Sequence, residues 1–540
     1  MMTTLGGLQA QDRSQVRGRG FGWVAGLTLA LAAFGLNLWV AVATTTPPVM
    51  DSYEYFNGAW LLARGAGLEA PYVWNYLDGA HSLPTANFTY WMPLPALLSA
   101  PFVWLGGVTG AAPGAQPELW LWGALPMAAL GALVPVLAAL IAARASGRAG
   151  LAWLAGGFAL ATGLYLIRWS NVDSYAPFAV AGAAAFCAAA LSASDARWCW
   201  PVLAGLSAGL AHLSRADGAL VPLTIAGWMV VVAPGRNRWR RLALFGAAYA
   251  LTLAPWLTRN LWVTGSPLGL GGARTLWLLS YDELFSLDPS RLTLARYLAG
   301  LDGQWSAKLQ ALGLNLTTLW VAQGQVLALP AAIIAAWRWR RAPATQMVTV
   351  FGVLALLALS LAFTYPGPRG AFLHSGGALV PFIAAGAALG LERAVTWAAQ
   401  KRGWALASAR PVFLGAALIV QVAAGLALAS GRPLGDTLTP IAAYRQADVL
   451  LPAGQGAAVV NPPAFFFHTG RPAIVVPDGP PADLSAALDR FGLRYVILDS
   501  NHPGGLADLY ENPDKSSEFR LVADLGVAGG PAVWLLERHP

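Results

Sequence analysis

Met50-Asp51-Ser52-Tyr53-Glu54-Tyr55-Phe56 follows directly on the first apolar run of the chain. It sets two acids and three aromatics just outside a stretch, residues 21–43, long enough to cross a bilayer. Loop carboxylates usually need no function. A helix beginning near Ser52, however, puts Asp51 at its N-terminus and Glu54 on the following turn. A carboxylate in such a partly desolvated place has a raised pKa and suits a general base. Asp51 is the first catalytic candidate and Glu54 the second.

Working outward, 56% of the 540 residues are apolar and 11% are charged. A soluble domain carries about 25% charged residues, so the composition specifies a polytopic membrane protein. The net charge of +8 is almost all arginine, the lysines being Lys308, Lys401 and Lys515. The arginines sit in short clusters between apolar runs, which marks topology determinants and argues against a nucleic-acid partner. Cys187 and Cys199 have neither metal-like nor disulfide spacing. No phosphate-binding Gly-x-x-x-x-Gly-Lys-Ser/Thr loop is present, so ATP-driven transport is not suggested.

Eleven spans are expected, near 21–43, 118–142, 150–167, 175–193, 199–213, 218–233, 242–257, 311–336, 346–364, 374–395 and 411–430. Ala41-Val42-Ala43 mimics a signal cleavage site, but the run before it is long for a signal peptide, and we read an uncleaved helix. Arg13, Arg17 and Arg19 place the N-terminus in the cytoplasm. Every cytoplasmic loop is then basic: Arg144/Arg148, Arg197, Arg236/Arg238/Arg240/Arg241, Arg338/Arg340/Arg341 and Arg393/Lys401/Arg402. Long outer loops occupy 44–117 and 258–310, and amphipathic pieces near 52–64 and 94–107 should lie along the membrane interface. Residues 1–430 thus form a membrane domain. Beyond 431 the charge density rises to that of a soluble domain, with strands at 457–460, 473–476, 495–498 and 532–536 and a helix at 483–491. This small α/β domain, 431–540, should face outward.

The remaining unusual polar residues fall on the same outer face. Asp173, in Arg168-Trp169-Ser170-Asn171-Val172-Asp173-Ser174-Tyr175, either caps the following helix or supplies a second acid or metal ligand. Arg215 and Asp217, in Ser214-Arg215-Ala216-Asp217-Gly218, either pair with each other or bind an anionic headgroup. Arg259 and Asn260 end a span; the arginine either snorkels or clamps phosphate. Arg369 and His374 bracket a tight Pro/Gly turn and are candidates for substrate phosphate or sugar. Asp282, Glu283 and Asp302 are weaker candidates. Phe465-Phe466-Phe467-His468-Thr469-Gly470-Arg471-Pro472 would cover the membrane-facing site.

Taken together, one N-terminal span, a long outer loop opening with an Asp, Ser-Arg-Ala-Asp-Gly at 214–218, Arg259-Asn260 with a later Gly-Ser-Pro, Pro-Arg-Gly-Ala-Phe-Leu-His-Ser at 368–375, Thr-Gly-Arg-Pro at 469–472 and Leu-Arg-Tyr-Val-Ile-Leu at 493–498 resemble the GT-C superfamily of polytopic glycosyltransferases. The similarity is greatest to the family 39-like branch, the bacterial relatives of protein O-mannosyltransferases and lipid A aminoarabinose transferases. The resemblance implies a polyprenyl-phosphate-linked sugar as donor, an acceptor that is protein, lipid or glycan, Asp51 as the base, and inversion at the anomeric carbon. The chain departs from the Asp-Glu doublet of the O-mannosyltransferases, because Ser52 follows Asp51 and the Glu comes at 54. A divalent metal bridging Asp51 and Asp173 is a further option; no other cofactor is indicated. The competing class is a secondary transporter or lipid flippase for an envelope precursor. Polar groups gathered at one face rather than at mid-bilayer favour interfacial chemistry over passage.

Overall fold

The computed structural model describes residues 21–232, 237–527 and 529–539. Arg13, Arg17, Arg19 and Arg236 lie outside the described residues. The first half of the chain forms α1 (Trp23–Ala43), α2 (Met50–Ala63), α3 (Leu94–Leu105), α4 (Glu118–Ser146), α5 (Ala149–Leu160), α6 (Tyr175–Ser194), α7 (Cys199–Ser214), α8 (Leu220–Val231) and α9 (Arg238–Thr264). At 21 residues α1 is about 30 Å long, which matches a bilayer core. The second half adds the long helices Pro343–Leu357, Val380–Arg402 and Leu406–Ala429.

Each of the eleven expected stretches contains helix, but their lengths differ from expectation. Six helices among the described residues are long and apolar enough to cross a membrane. A bent pair, Leu301–Gln323 and Ala328–Arg338, makes up to seven. α5 and α8 have 12 residues and α7 has 16, short of the roughly 20 that span unaided. The expected continuous span 311–336 is broken by 91°. Gln325 and Val326 take left-handed φ angles of 50° and 60° at the break. There Gln421 Nε2 donates to the side-chain oxygen Oε1 of the buried Gln325 at 2.8 Å, so that oxygen finds its partner inside the bundle. Small residues let the helices approach: Gly390 lies against the Ala331 backbone with no room for a Cβ.

Two loop segments pair as β1 (Glu69–Ala70) and β3 (Thr85–Ala86), antiparallel. Between them β2 (Tyr72–Val73) leaves the first loop and joins the sheet of the C-terminal region. That sheet contains β4 (Ala457–Val459), β5 (Ala473–Val475), β6 (Tyr495–Leu498), β7 (Phe519–Asp524) and β8 (Trp534–Arg538), in the order β2-β5-β4-β6-β8-β7. The first four strands in that order are parallel, and β8 and β7 pair antiparallel. β4 and β5 are wholly apolar and buried, as parallel strands covered on both faces require. The four strands expected from sequence appear at 457–459, 473–475, 495–498 and 534–538, and the expected helix as Pro481–Phe491. β2 and β7 are additions.

The helix Pro462–Thr469 carries the aromatic run and ends at Gly470, whose φ of 71° stops it. Phe467 packs edge-on against Tyr53 at 5.2 Å and Phe56 at 5.7 Å, and Phe466 against Trp60 at 6.1 Å. Residues 53, 56 and 60 form one helical stripe of α2. Ser52 to Leu61 are all buried. The expectation that α2 lies along a membrane surface is therefore corrected: its apolar stripe is covered by protein, and Asn57 Nδ2 donates to Pro463 O at 2.8 Å.

Candidate active site

Three chain segments converge at the start of α2. Asp51 occupies the first turn, where the helix dipole favours a carboxylate. Asp173 and Ser174 close the irregular link between α5 and α6. His374 sits on the short helix Phe372–Ser375, beyond the bend at Gly367–Ala371. His374 Nδ1 lies 3.4 Å from Asp173 Oδ1, and Nε2 lies 3.8 Å from Asp51 Oδ2. Ser174 Oγ is 2.9 Å from His374 Nδ1 and donates to Asp173 Oδ1 at 3.2 Å. Ser52 Oγ donates to Asp173 Oδ2 at 3.4 Å. The Tyr175 ring stacks on the imidazole at 3.7 Å and fixes its plane. Asp173 Oδ1 also accepts from Ser174 N at 2.5 Å, so the one carboxylate both holds the start of α6 and joins this cluster.

Arg215 and Asp217 form the second layer. Arg215 Nε donates to Asp217 Oδ1 at 2.9 Å, and Nη1 donates to Ser174 Oγ at 3.3 Å. Ser375 Oγ donates to Asp217 Oδ2. The two residues pair with each other, as the first of the two alternatives has it, and they also abut the cluster. Asp51, Asp173, Arg215, Asp217 and His374 make one network. Ser52, Ser174, Tyr175 and Ser375 complete it; they stand beside charged candidates in sequence, but nothing in the sequence says which way they point.

Four candidates stand elsewhere. Arg259 Nη2 donates to Leu68 O at 3.2 Å and Nη1 to Asn260 Oδ1 at 3.0 Å, while its guanidinium lies 4.8 Å from the Trp256 ring. Arg259 and Asn260 tie the first loop to α9 and are not in the Asp51 network. Arg369 lies over the Tyr281 ring at 3.6 Å. Glu54, one turn after Asp51, faces Tyr72 of β2. Of the weaker candidates, Glu283 pairs with Arg296, and Asp282 accepts from Gly504 N at 3.0 Å.

Asp173 is fully buried, while Asp51 keeps 26% of its side chain exposed and is the more accessible of the two acids. Burial pushes both carboxyls above the usual range and Arg215 pulls both back; the Asp51 charge raises Asp173 further. Burial also pushes Glu54 up to about 8. The ligand atoms of Asp51, Asp173 and His374 all lie within 4.8 Å of one another. Two carboxylate oxygens and an imidazole nitrogen at that spacing fit a divalent transition metal.

No family model and no curated protein matches the chain by sequence. Solved structures do. The archaeal oligosaccharyltransferase AglB from Archaeoglobus fulgidus, in complex with an inhibitory peptide and a dolichol-phosphate, aligns at TM-score 0.58 and 13% identity over 88% of this chain and 70% of that one. The Archaeoglobus fulgidus oligosaccharyltransferase in complex with Zn and sulfate aligns at TM-score 0.58 and 14% identity over 87% and 68%. ArnT from Cupriavidus metallidurans, bound to undecaprenyl phosphate, aligns at TM-score 0.55 and 14% identity over 95% and 98%. With its apolar helices, converging loops and C-terminal sheet, the chain shares the fold of these solved structures.

Proposed function

We propose that this protein transfers a sugar from a polyprenyl-phosphate donor to an acceptor hydroxyl at the outer face of the cytoplasmic membrane. The observation that carries the reading is the Asp51–Asp173–His374 cluster, with Arg215 reached through Ser174. Asp51 accepts the acceptor's proton as the acceptor oxygen forms its bond to the anomeric carbon. The bond from that carbon to the phosphate oxygen breaks from the opposite side, so the configuration inverts. The leaving electrons stay on the phosphate, where Arg215 offsets the developing charge. His374 and Ser174 hold Asp173 in the cluster, and burial raises the basicity of Asp51. Asp51, Asp173 and His374 would hold a divalent ion, whose chemistry is to neutralise phosphate charge. The basic turns of the chain support a cytoplasmic N-terminus and an outer site.

The test is transfer from a polyprenyl-phosphate sugar by the protein reconstituted in liposomes. Asp51→Asn should lower turnover by at least about 10²-fold, the usual contribution of general-base catalysis. Intact transfer by that variant would sink the assignment.

A further inference from the structure

A cavity about 300 Å³ in volume opens beside Glu54. It is built from the first loop, from Tyr72 to Trp91, with α2 on one wall and Val263–Thr264 at the end of α9 on another. Its polar side chains are aimed and unpartnered. Asn75 Oδ1 accepts from Leu77 N at 3.0 Å, which leaves Nδ2 buried without a partner. Asp78 Oδ1 accepts from Leu270 N and Gly271 N, both at 2.7 Å, which leaves Oδ2 buried without one. Glu54 Oε2 and Trp91 Nε1 are orphaned in the same way. Buried donors and acceptors are costly to leave unmade, so four around one cavity mark a polar ligand. Trp74, Tyr90 and Trp91 supply an apolar wall, with ring centroids 4.9–5.5 Å apart.

A ligand that satisfies this wall offers hydroxyl donors and acceptors around its rim and an apolar C–H face, which describes a pyranose ring. No lysine or arginine lines the cavity to pair with a phosphate, so it suits a neutral or amino sugar rather than the donor's phosphate end. Its volume lies at the low end of ligand pockets, which run from about 300 to 1,000 Å³. It adjoins the reacting acid: Trp74 Nε1 lies 2.5 Å from Met50 Sδ, and Met50 precedes Asp51.

We propose that this cavity binds the acceptor, and that the acceptor is therefore itself a carbohydrate whose ring stacks in the first loop and presents one hydroxyl to Asp51. The proposal rests on the transferase reading above. The acceptor O–H proton passes to Asp51, the acceptor oxygen takes the anomeric carbon, and polyprenyl phosphate departs with the electrons of the broken bond. Arg215 and the Asp173–His374 pair then face the donor, and Glu54, Asn75 and Asp78 face the acceptor.

The experiment is saturation-transfer NMR on the full chain in nanodiscs, without donor. The probes are the methyl glycosides of glucose, mannose, galactose, glucosamine and N-acetylglucosamine, with a Ser/Thr-containing octapeptide as the peptide arm. At least one glycoside should bind the wild type, and its Kd should rise at least tenfold in both Asn75→Leu and the near-isosteric Glu54→Gln. In transfer assays the same variants should raise the KM for that glycoside more than they lower kcat. No glycoside binding to the wild type, binding indifferent to both variants, or saturation by the peptide alone would overturn the proposal. The parent reading fails separately, through absence of wild-type release of polyprenyl phosphate from a polyprenyl-phosphate sugar while glycoside binding persists.

Discussion

His374 and Asp173 meet through Nδ1 and Oδ1 at 3.4 Å, with Ser174 Oγ 2.9 Å from the same nitrogen. The contact joins a bend late in the membrane region to the link before α6. It leaves Nε2 free to point at Asp51, 3.8 Å away. An imidazole clamped by a buried carboxylate on one side and by the Tyr175 ring on its face has one orientation. That orientation aims Nε2 at Asp51.

Removing the buried member should therefore cost rate rather than donor affinity. Asp173→Asn keeps the side chain's size and the Ser174 contacts but removes the charge. We expect kcat to fall by about 10²–10⁴-fold, with donor KM changed less than tenfold. A variant whose KM rises instead, at unchanged kcat, would place Asp173 in binding.

Arg215 makes two directed contacts, to Asp217 and to Ser174. A lysine cannot reproduce that fork. Arg215→Lys should lose roughly 1.5–3 kcal/mol of transition-state stabilisation, read as about a 10- to 150-fold fall in kcat/KM. Wild-type kinetics in Arg215→Lys would remove the guanidinium from the leaving-group side.

If the two carboxylates and His374 hold a divalent metal, chelation should lower activity and the metal content should depend on the histidine. Elemental analysis of purified protein should give close to one transition-metal ion per chain in the wild type and substantially less in His374→Ala. Equal metal content in the two would argue that the cluster works without an ion.

Glu54 predicts a pH signature. Its folded pKa is raised to about 8 against an ordinary 4.5. Between those values the unfolded chain has released the proton and the folded chain retains it. Stability therefore falls as pH rises through this window and levels off above it. Gln at this position does not titrate. The apparent Tm of Glu54→Gln relative to wild type should gain at least about 2–4 °C between pH 5 and pH 8. A difference that does not change with pH would contradict the burial of a neutral Glu54.

Arg471, in the Thr469–Pro472 motif, anchors the chain beyond the aromatic helix. Its guanidinium bonds Asp448 and the carbonyls of Asp448, Pro452, Gln455 and Leu451. All of these partners lie in the C-terminal region, so the motif is structural. Arg471→Ala should destabilise that region by on the order of 3 kcal/mol, visible as earlier protease cleavage after residue 430. Unchanged proteolysis would refute the anchoring role.

The sequence by itself determined the membrane class, most helix positions, the core strands of the C-terminal sheet and the acid that opens the first loop. These follow from local signals: apolar run length, arginine clusters and turn residues. It also supplied Asp51, Asp173, Arg215, Asp217 and His374, because a charged group between apolar segments is costly enough to stand out. Only the tertiary structure decided which of the candidates meet. Arg259 and Arg369 looked as good as Arg215 in sequence; packing sent one to the Leu68 carbonyl and the other to the Tyr281 ring. The burial of α2, the strand that the first loop lends to the C-terminal sheet, and the 91° break at Gln325 were likewise hidden. Each depends on contacts between segments far apart in the chain, and periodicity along the chain carries no record of such contacts.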